Sequence, residues 1–365
     1  MSNRALSRCV TLLALLTVVL PASAQNFAQQ VQREVEKKQK TLNSIPDSDA
    51  GWKDMKPNVA FFLGNAGAAL AAGQNYLALE QLGKASSIFD AKEYADKHYT
   101  PQSGMDGYEA QWKRVSAEVA SFDSAARNHQ WAKFPVAVRA LSESASGKVD
   151  TVLHAGQAYA KVTSPETGFF YLGQTKALAD FATFCYGLDA TRRGSTFRLR
   201  SIKPELGALQ ARMFEAFQPP RSIDKHPLFI TMSATLKTAF DLDAAGLYAG
   251  ALYQYLDAVR QLSSMEMPDV DAAAKTQLAS GLSKAKEQLY SSGLDDSVAD
   301  LWVQKAQSLI TSKNGKEPQP DEWKAANAII KHLIPAYFNV VNTVPKEQPP
   351  SMRSTRITLV RWPYT

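Results

Sequence analysis

The sequence predicts an all-α protein, organised as an array of antiparallel helical hairpins that resembles an α-solenoid. Apolar residues recur at i, i+3, i+4 and i+7 through most of the chain, which is the spacing of amphipathic helices. The breaks between these segments are polar or contain proline and glycine, the residues that end helices. An irregular helical bundle satisfies the same pattern and stays open as the alternative.

The N-terminus has the pattern of a secretory signal peptide. Arg4 and Arg8 precede an uncharged, mostly apolar run of eleven residues, 10–20, and small residues follow up to Ala24 in an A-x-A arrangement. A membrane anchor would need about 20 apolar residues to cross the hydrocarbon core. The sequence therefore predicts a signal peptide over 1–24, cleavage near Ala24, and a mature protein in the periplasm or outside the cell.

The composition of the mature chain excludes some classes of protein. Loss of Arg4 and Arg8 leaves 39 basic against 35 acidic residues, a net charge of +4, which is too small for a nucleic-acid-binding surface. Cys185 is the one cysteine that remains, so the mature chain has no intramolecular disulfide. Phe184 and Tyr186 flank it, and we expect its thiol to be a small buried apolar group.

The elements follow in order from the periodicity. Residues 25–57 predict a polar helix, lying on the surface or partly detached, and then a loop. Two helical regions, 58–218 and 219–341, follow, and Pro219-Pro220 is the strongest candidate boundary between them. Helices are predicted over 58–72, 74–90, 107–127, 135–162, 165–188, 204–217, 228–245, 247–262, 270–291, 297–310 and 321–341.

Proline and polar residues punctuate these helices. Ser164 precedes a proline at the first helical position, which predicts an N-cap. Pro335 lies inside the last helix and is expected to kink it, because proline removes a backbone donor and clashes with the preceding turn. After a proline-containing linker, residues 354–365 alternate in the manner of a strand. The segment 342–365 is therefore expected to be an extended tail that docks on the body or on a partner.

Two segments share a pattern of small and aromatic residues that indicates an internal repeat. Gly246 is preceded by a small residue at −7 and followed at +2, +5, +9 and +12 by Tyr248, Ala251, Tyr255 and Ala258. Gly73 has Ala66 at −7 and is followed at +5, +9 and +12 by Ala78, Leu82 and Ala85. In each segment the glycine is expected to turn the chain between two helices, while the alanines allow the helices to approach closely.

This pattern resembles the tetratricopeptide repeat, over two hairpins at about 58–90 and 231–263. In that family the first helix of each hairpin lines a concave binding surface. The resemblance implies that a protein or peptide binds there, at the corresponding positions Leu63, Gly67, Leu70, Leu236, Phe240 and Asp243. Their apolar character suits a groove for a helix or an extended peptide, and it suits an ordinary core equally well.

No complete catalytic, cofactor or metal motif is visible. The five histidines are scattered, with none at i+3 or i+4 from another, so a helical metal site is not indicated. Pairs such as Asp295-Asp296 and Asp241 with Asp243 stand at helix ends, where capping explains them. We therefore expect a non-enzymatic scaffold without a cofactor. An enzyme or ligand-binding protein built from helical hairpins, acting on a polysaccharide or another envelope substrate, is the competing hypothesis.

A basic segment at 191–203 contains Arg192, Arg193, Arg198, Arg200 and Lys203, with apolar residues between them. One interpretation is a patch that contacts an acidic polymer or lipid headgroups. The other is a solvated connector, because runs of charge are usually exposed.

Overall fold

The computed structural model describes residues 22–127, 131–192, 194–195, 197–220, 222–268, 270–311 and 317–342. The regular structure of these residues is helical, which confirms the all-α prediction. Extended pairing within them is limited to one parallel bridge between Ser195 and Leu294. Most of the predicted signal peptide, Arg193 and the predicted extended tail from residue 343 onward lie outside the described residues.

Thirteen α-helical segments run through the described part of the chain, and a π turn joins the last two of them. Their bounds are α1 Ala22–Ser44, α2 Lys56–Ala71, α3 Asn75–His98, α4 Gly104–Arg127, α5 Val136–Val162, α6 Pro165–Tyr186, α7 Lys203–Ala216, α8 His226–Ala244, α9 Tyr248–Glu266, α10 Ala272–Ser291, α11 Ser297–Ile310, α12 Pro320–Ala328, and α13 Ile334–Asn342 after the π turn Ile329–Leu333. The predicted kink near Pro335 takes the form of this wider turn, since proline cannot donate to the carbonyl four residues earlier.

Three hairpins form the centre of the fold. Helices contact one another in the order α2, α3, α6, α5, α9, α8, so that hairpin α5–α6 lies between hairpins α2–α3 and α8–α9. A second group of helices lies against this row, with α11 on α3 and α5 and with α12 on α9. A solenoid stacks its hairpins in chain order. The three hairpins keep chain order, but α4, α11 and α12 pack against the row instead of extending it, so a solenoid arrangement is not confirmed.

One hydrophobic core extends across both predicted helical regions. It includes residues from Phe27 to Val341, so the division at Pro219-Pro220 does not separate two cores. A smaller cluster around Tyr108 and Phe169 lies beneath α4. Helix α1 lies on the surface with one face packed inward, so it is not detached. Phe27, Val31, Val35 and Leu42 of α1 are buried in the main core, because these few apolar residues recur on one face of the helix.

The two repeated segments fold as hairpins with the same turn. Gly73 and Gly246 have φ of 70° and 77°, a conformation that favours glycine. In each turn the glycine amide donates to the carbonyl three residues back, and the next amide donates five residues back, at 2.8–3.0 Å. This is the Schellman geometry of a helix C-terminus. The small residues of the pattern, Ala66, Ala78, Ala85, Ala239, Ala251 and Ala258, are all fully buried.

Several helices begin with a cap from a distant part of the chain. The amide of Val136 in α5 donates to Asp295 Oδ2 at 2.9 Å, and the amide of Ile202, which precedes α7, donates to Asp243 Oδ1 at 2.7 Å. Gly250 of α9 donates to Glu143 in the same manner. These bonds satisfy helix-terminal amides that have no intrahelical partner. The interpretation of Asp243 and Asp295 as capping residues is thus confirmed, and so is the cap of α6 by Ser164.

Candidate functional site

The structure places the predicted groove residues mainly inside the protein. Leu63 and Leu236 are buried in the core, and Asp243 is buried as a cap. Leu70 and Phe240 are half-buried and pack against the core, and Gly67 is half-buried. The first helices of the two hairpins do not present these residues as an open surface, because α2 is covered by α1 and α3, and α8 by α7 and α9. For Leu63, Leu236 and Asp243 the core alternative is the correct one.

The basic segment is a connector whose apolar residues anchor it. Phe197 and Ile202 are buried, whereas Arg198 and Lys203 are exposed. Arg200 pairs with Glu205 at 2.5 Å. Arg192 is half-buried. Burial raises the pKa of Asp295, and the positive charge of Arg192 partly offsets this rise. The basic and apolar residues therefore alternate because one side of the segment faces solvent and the other packs against the core. Arg193 lies outside the described residues.

A cluster of charged side chains that the sequence did not single out lies where α3, α5, α9 and α11 meet. We call it the charged cluster, and it consists of Glu80, Lys84, Lys148, Asp257, Arg260 and Lys305. Glu80 Oε1 accepts from Lys84 Nζ at 2.7 Å, from Lys305 Nζ at 3.0 Å and from the Tyr253 hydroxyl at 2.8 Å. Asp257 pairs with Arg260 at 2.8 Å.

The internal repeat accounts for half of this cluster. Glu80 and Tyr253 both stand seven residues after the glycine of their hairpin, and Lys84 and Asp257 both stand eleven residues after it. Positions +7 and +11 are i and i+4, so they share one face of a helix. Equivalent faces of α3 and α9 therefore meet at the cluster, and the Glu80–Tyr253 hydrogen bond joins equivalent positions of the two repeats.

The cluster has a buried floor and an open rim. Glu80 is 4% exposed, and Lys305 lies over the Trp302 ring at 4.4 Å, where Trp302 stacks on Tyr253. At the rim, the side chain of Lys84 is 40% exposed and Lys148 is exposed. Glu80 Oε2 is buried, and it accepts no hydrogen bond from the described residues. Cations thus lie around a buried carboxylate, and two of them reach the side that is open to solvent.

The electrostatics of the floor and of the rim differ. Burial opposes the ionisation of Glu80, but the charges of Lys305 and Lys84 outweigh it and hold the pKa of Glu80 well below its usual range. Burial also lowers the pKa of Lys84, but Glu80 overcomes this and leaves that pKa raised. The pKa of Lys148 is lowered, chiefly because the protein around it displaces part of its water, and Asp257 only partly offsets this.

A second surface is apolar. Phe217 stacks on Phe229 with ring centroids 4.2 Å apart, and Phe214 lies 6.1 Å from Phe229. Ile223 and Ile230 belong to the same stretch of chain, between α7 and the start of α8. We call these five residues the aromatic surface. Phe214 is 56% exposed, Ile223 61% and Ile230 53%.

Other features of the described residues offer less chemistry. A cavity of about 330 Å³ is lined by residues of α3, α10 and α11, and Asp300 is the one carboxylate among its lining residues. No group of three or more histidine, cysteine or carboxylate side chains in the described residues is placed to hold a metal ion.

Cys185 is free and buried as predicted, and burial raises the pKa of its thiol. Within the described chain, no helix is both long and apolar enough to span a bilayer.

Comparison with known proteins finds no matching family model, no matching curated protein and no matching solved structure. The resemblance to tetratricopeptide hairpins therefore rests on the two repeated segments alone.

Proposed function

We propose that this chain is an exported helical scaffold that binds another protein or a peptide, and that the aromatic surface on α7 and α8 is the contact. The observation that supports the proposal is the exposure of Phe214, Ile223 and Ile230 in one stretch of the chain. Apolar groups left in water lose about 25 cal/mol for each Å² that could have been buried. Exposed apolar groups that lie together mark sites of interaction on soluble proteins, and the rings of Phe214, Phe217 and Phe229 lie together here.

The chemistry of the surface suggests the kind of partner. Three phenylalanine rings lie together, with no ion pair among them, so the contact is suited to apolar side chains of the partner. Aromatic residues contribute large contact areas at interfaces with little loss of side-chain entropy. A helix with one apolar face, or an extended apolar segment, fits this description. This moves the proposed contact from the first-helix positions inferred from the repeat to residues that are open to solvent.

Site-specific crosslinking tests the proposal. A photoreactive phenylalanine analogue in place of Phe214 should yield one dominant adduct in the exported fraction, which mass spectrometry identifies. The same analogue in place of Phe61 on α2, which is 59% exposed and distant in sequence, is the matched control. The purified partner should then bind the wild type, and Phe214→Ser with Ile230→Ser should weaken that binding without changing the melting temperature. Equal adducts at both positions, or an unaffected affinity, would reject the aromatic surface as the contact.

Export has a separate test. The intact mass of the protein recovered from the envelope or the medium should correspond to a chain that begins at Gln25. A mature chain that retains Met1 would contradict both the cleavage and the location.

A further inference from the structure

The geometry points to a second binding site, at the rim of the charged cluster, for a phosphoryl dianion. Lys84, Lys148 and Arg260 come from three helices, α3, α5 and α9, and surround the carboxylates of Glu80 and Asp257. This site is distinct from the aromatic surface, and it does not depend on the proposed function.

The balance of charge supports an anionic ligand. Four cations, Lys84, Lys148, Arg260 and Lys305, face two carboxylates, which leaves an excess of two positive charges. Glu80 already compensates Lys84 and Lys305 at hydrogen-bond distance, and Asp257 compensates Arg260. Lys148 makes no hydrogen bond or ion pair with any described residue. It stands one turn after Ser144, whose hydroxyl accepts from Gln254 Nε2 of α9 at 2.6 Å, so it lies on the side of α5 that faces α9.

The donors suit a tetrahedral oxyanion. The ammonium of Lys148 has three N–H groups without a partner in the described chain, and Lys84 uses one on Glu80. Arg260 directs Nε and Nη2 at Asp257, which leaves its other nitrogen without a described partner. Charge-assisted bonds from lysine and arginine are those that proteins use for phosphoryl groups. Two excess charges match a dianion, whereas a single carboxylate would neutralise only one.

The cost of the arrangement also indicates a ligand. An unpaired lysine beside a second lysine destabilises the folded protein, because the two like charges repel each other. If the cluster served only to hold the helices together by ion pairs, Lys148 would add no stability, because it forms no ion pair. A binding site gains a cation that is free to receive the ligand, at the expense of some stability.

Calorimetric titration with sodium phosphate, against sodium chloride at equal ionic strength, tests this site. The wild type should bind phosphate, and Lys148→Gln should raise its Kd about tenfold, as expected for loss of one charge-assisted contact. Lys237→Gln is the matched control, since this lysine is also exposed and forms an i,i+4 pair on α8. Glu80→Gln should tighten phosphate binding, because it removes a negative charge from the floor.

A second measurement separates binding from structure. Without phosphate, Lys148→Gln should raise the melting temperature, whereas a purely structural role for this lysine predicts a decrease. If Glu80→Gln does not fold, the comparison of Lys148→Gln with Lys237→Gln decides the question alone. Phosphate that binds no better than chloride, or an unchanged Kd in Lys148→Gln, would overturn a site for free phosphate.

A third arm identifies the source of the phosphoryl group. Vesicles of phosphatidic acid and phosphatidylcholine should retain the wild type and release Lys148→Gln if the ligand is a lipid headgroup. Binding of free phosphate without retention on these vesicles would assign the site to a soluble phosphoryl compound. Failure of both arms would overturn the site, and neither outcome depends on Phe214 or Ile230.

Discussion

Gly64 and Gly173 occupy similar sequence contexts, Phe-Phe-Leu-Gly and Phe-Tyr-Leu-Gly, yet the structure predicts opposite responses to the same substitution. A Cβ atom added at Gly173 in α6 would lie 2.6 Å from the carbonyl oxygen of Ala91 and 2.8 Å from its Cα, both of them backbone atoms of α3. A Cβ atom added at Gly64 in α2 would meet nothing within 4 Å. The absence of a side chain is therefore needed at Gly173 and not at Gly64.

The magnitudes follow from two opposing effects. Alanine is favoured over glycine in a helix interior by about 0.8 to 1 kcal/mol. Overpacking a dense contact costs about 1 to 3 kcal/mol, and we expect the upper part of this range, about 2 to 3 kcal/mol, because the backbone of α3 cannot rotate away as a side chain would. We therefore expect Gly173→Ala to destabilise the protein by about 1 to 2 kcal/mol. Gly64→Ala, which gains the helical preference without a clash, should stabilise it by about 0.5 to 1 kcal/mol.

Denaturant unfolding of the two variants beside the wild type measures both effects, with circular dichroism as the probe. The midpoints should move in opposite directions at an unchanged slope. A Gly173→Ala protein as stable as the wild type would show that α3 and α6 do not approach as closely as described. Loss of stability in Gly64→Ala would show that another group packs against α2 at this position.

Three further predictions concern the repeat and the cluster. Ala251→Leu should destabilise by about 1 to 3 kcal/mol, because Ala251 is fully buried between hairpins, and an unchanged melting temperature would show that it faces solvent. Phe240→Glu should lower the melting temperature by placing a charge against the core, whereas a fully stable variant would show that the ring is dispensable there. Glu80→Gln should be less stable than the wild type at neutral pH. Since the pKa of Glu80 is depressed in the folded state, that difference should shrink as the pH falls below about 4.5, and a difference independent of pH would contradict the ion pairs.

Local signals predicted most helix positions. The interval 297–310 coincides with α11, and 135–162 differs from α5 by one residue at its start. The prediction for α3 ended too early, at residue 90, whereas the helix continues to His98. Its last turns carry mostly polar side chains, but Ala91 and Ala95 keep one face buried. Two alanines are a weak periodic signal, so the sequence alone did not predict that the helix continues beyond residue 90.

The sites depend on contacts that no local pattern reveals. Glu80, Lys148, Tyr253 and Lys305 come from four helices, and each is unremarkable within its own segment. The repeat contained a usable signal, because +7 and +11 lie on one face of both second helices. Their meeting depends on how the two hairpins pack against α5–α6, which follows from long-range packing. The groove residues were misplaced for a related reason, since no local pattern shows that α1 and α3 cover α2 or that α7 and α9 cover α8.

The caps supplied from a distance have a consequence for how the molecule holds together. The first amides of α5 donate to Asp295 and Ser297, about 160 residues away, and an amide in the first turn of α3 donates to Gln304, 227 residues away. A polypeptide that ended at residue 218 would retain these helices but lose those acceptors. Its helix starts would fray even where the apolar faces remained covered. The N-terminal half is thus tied to the C-terminal half by polar contacts as well as by the shared core.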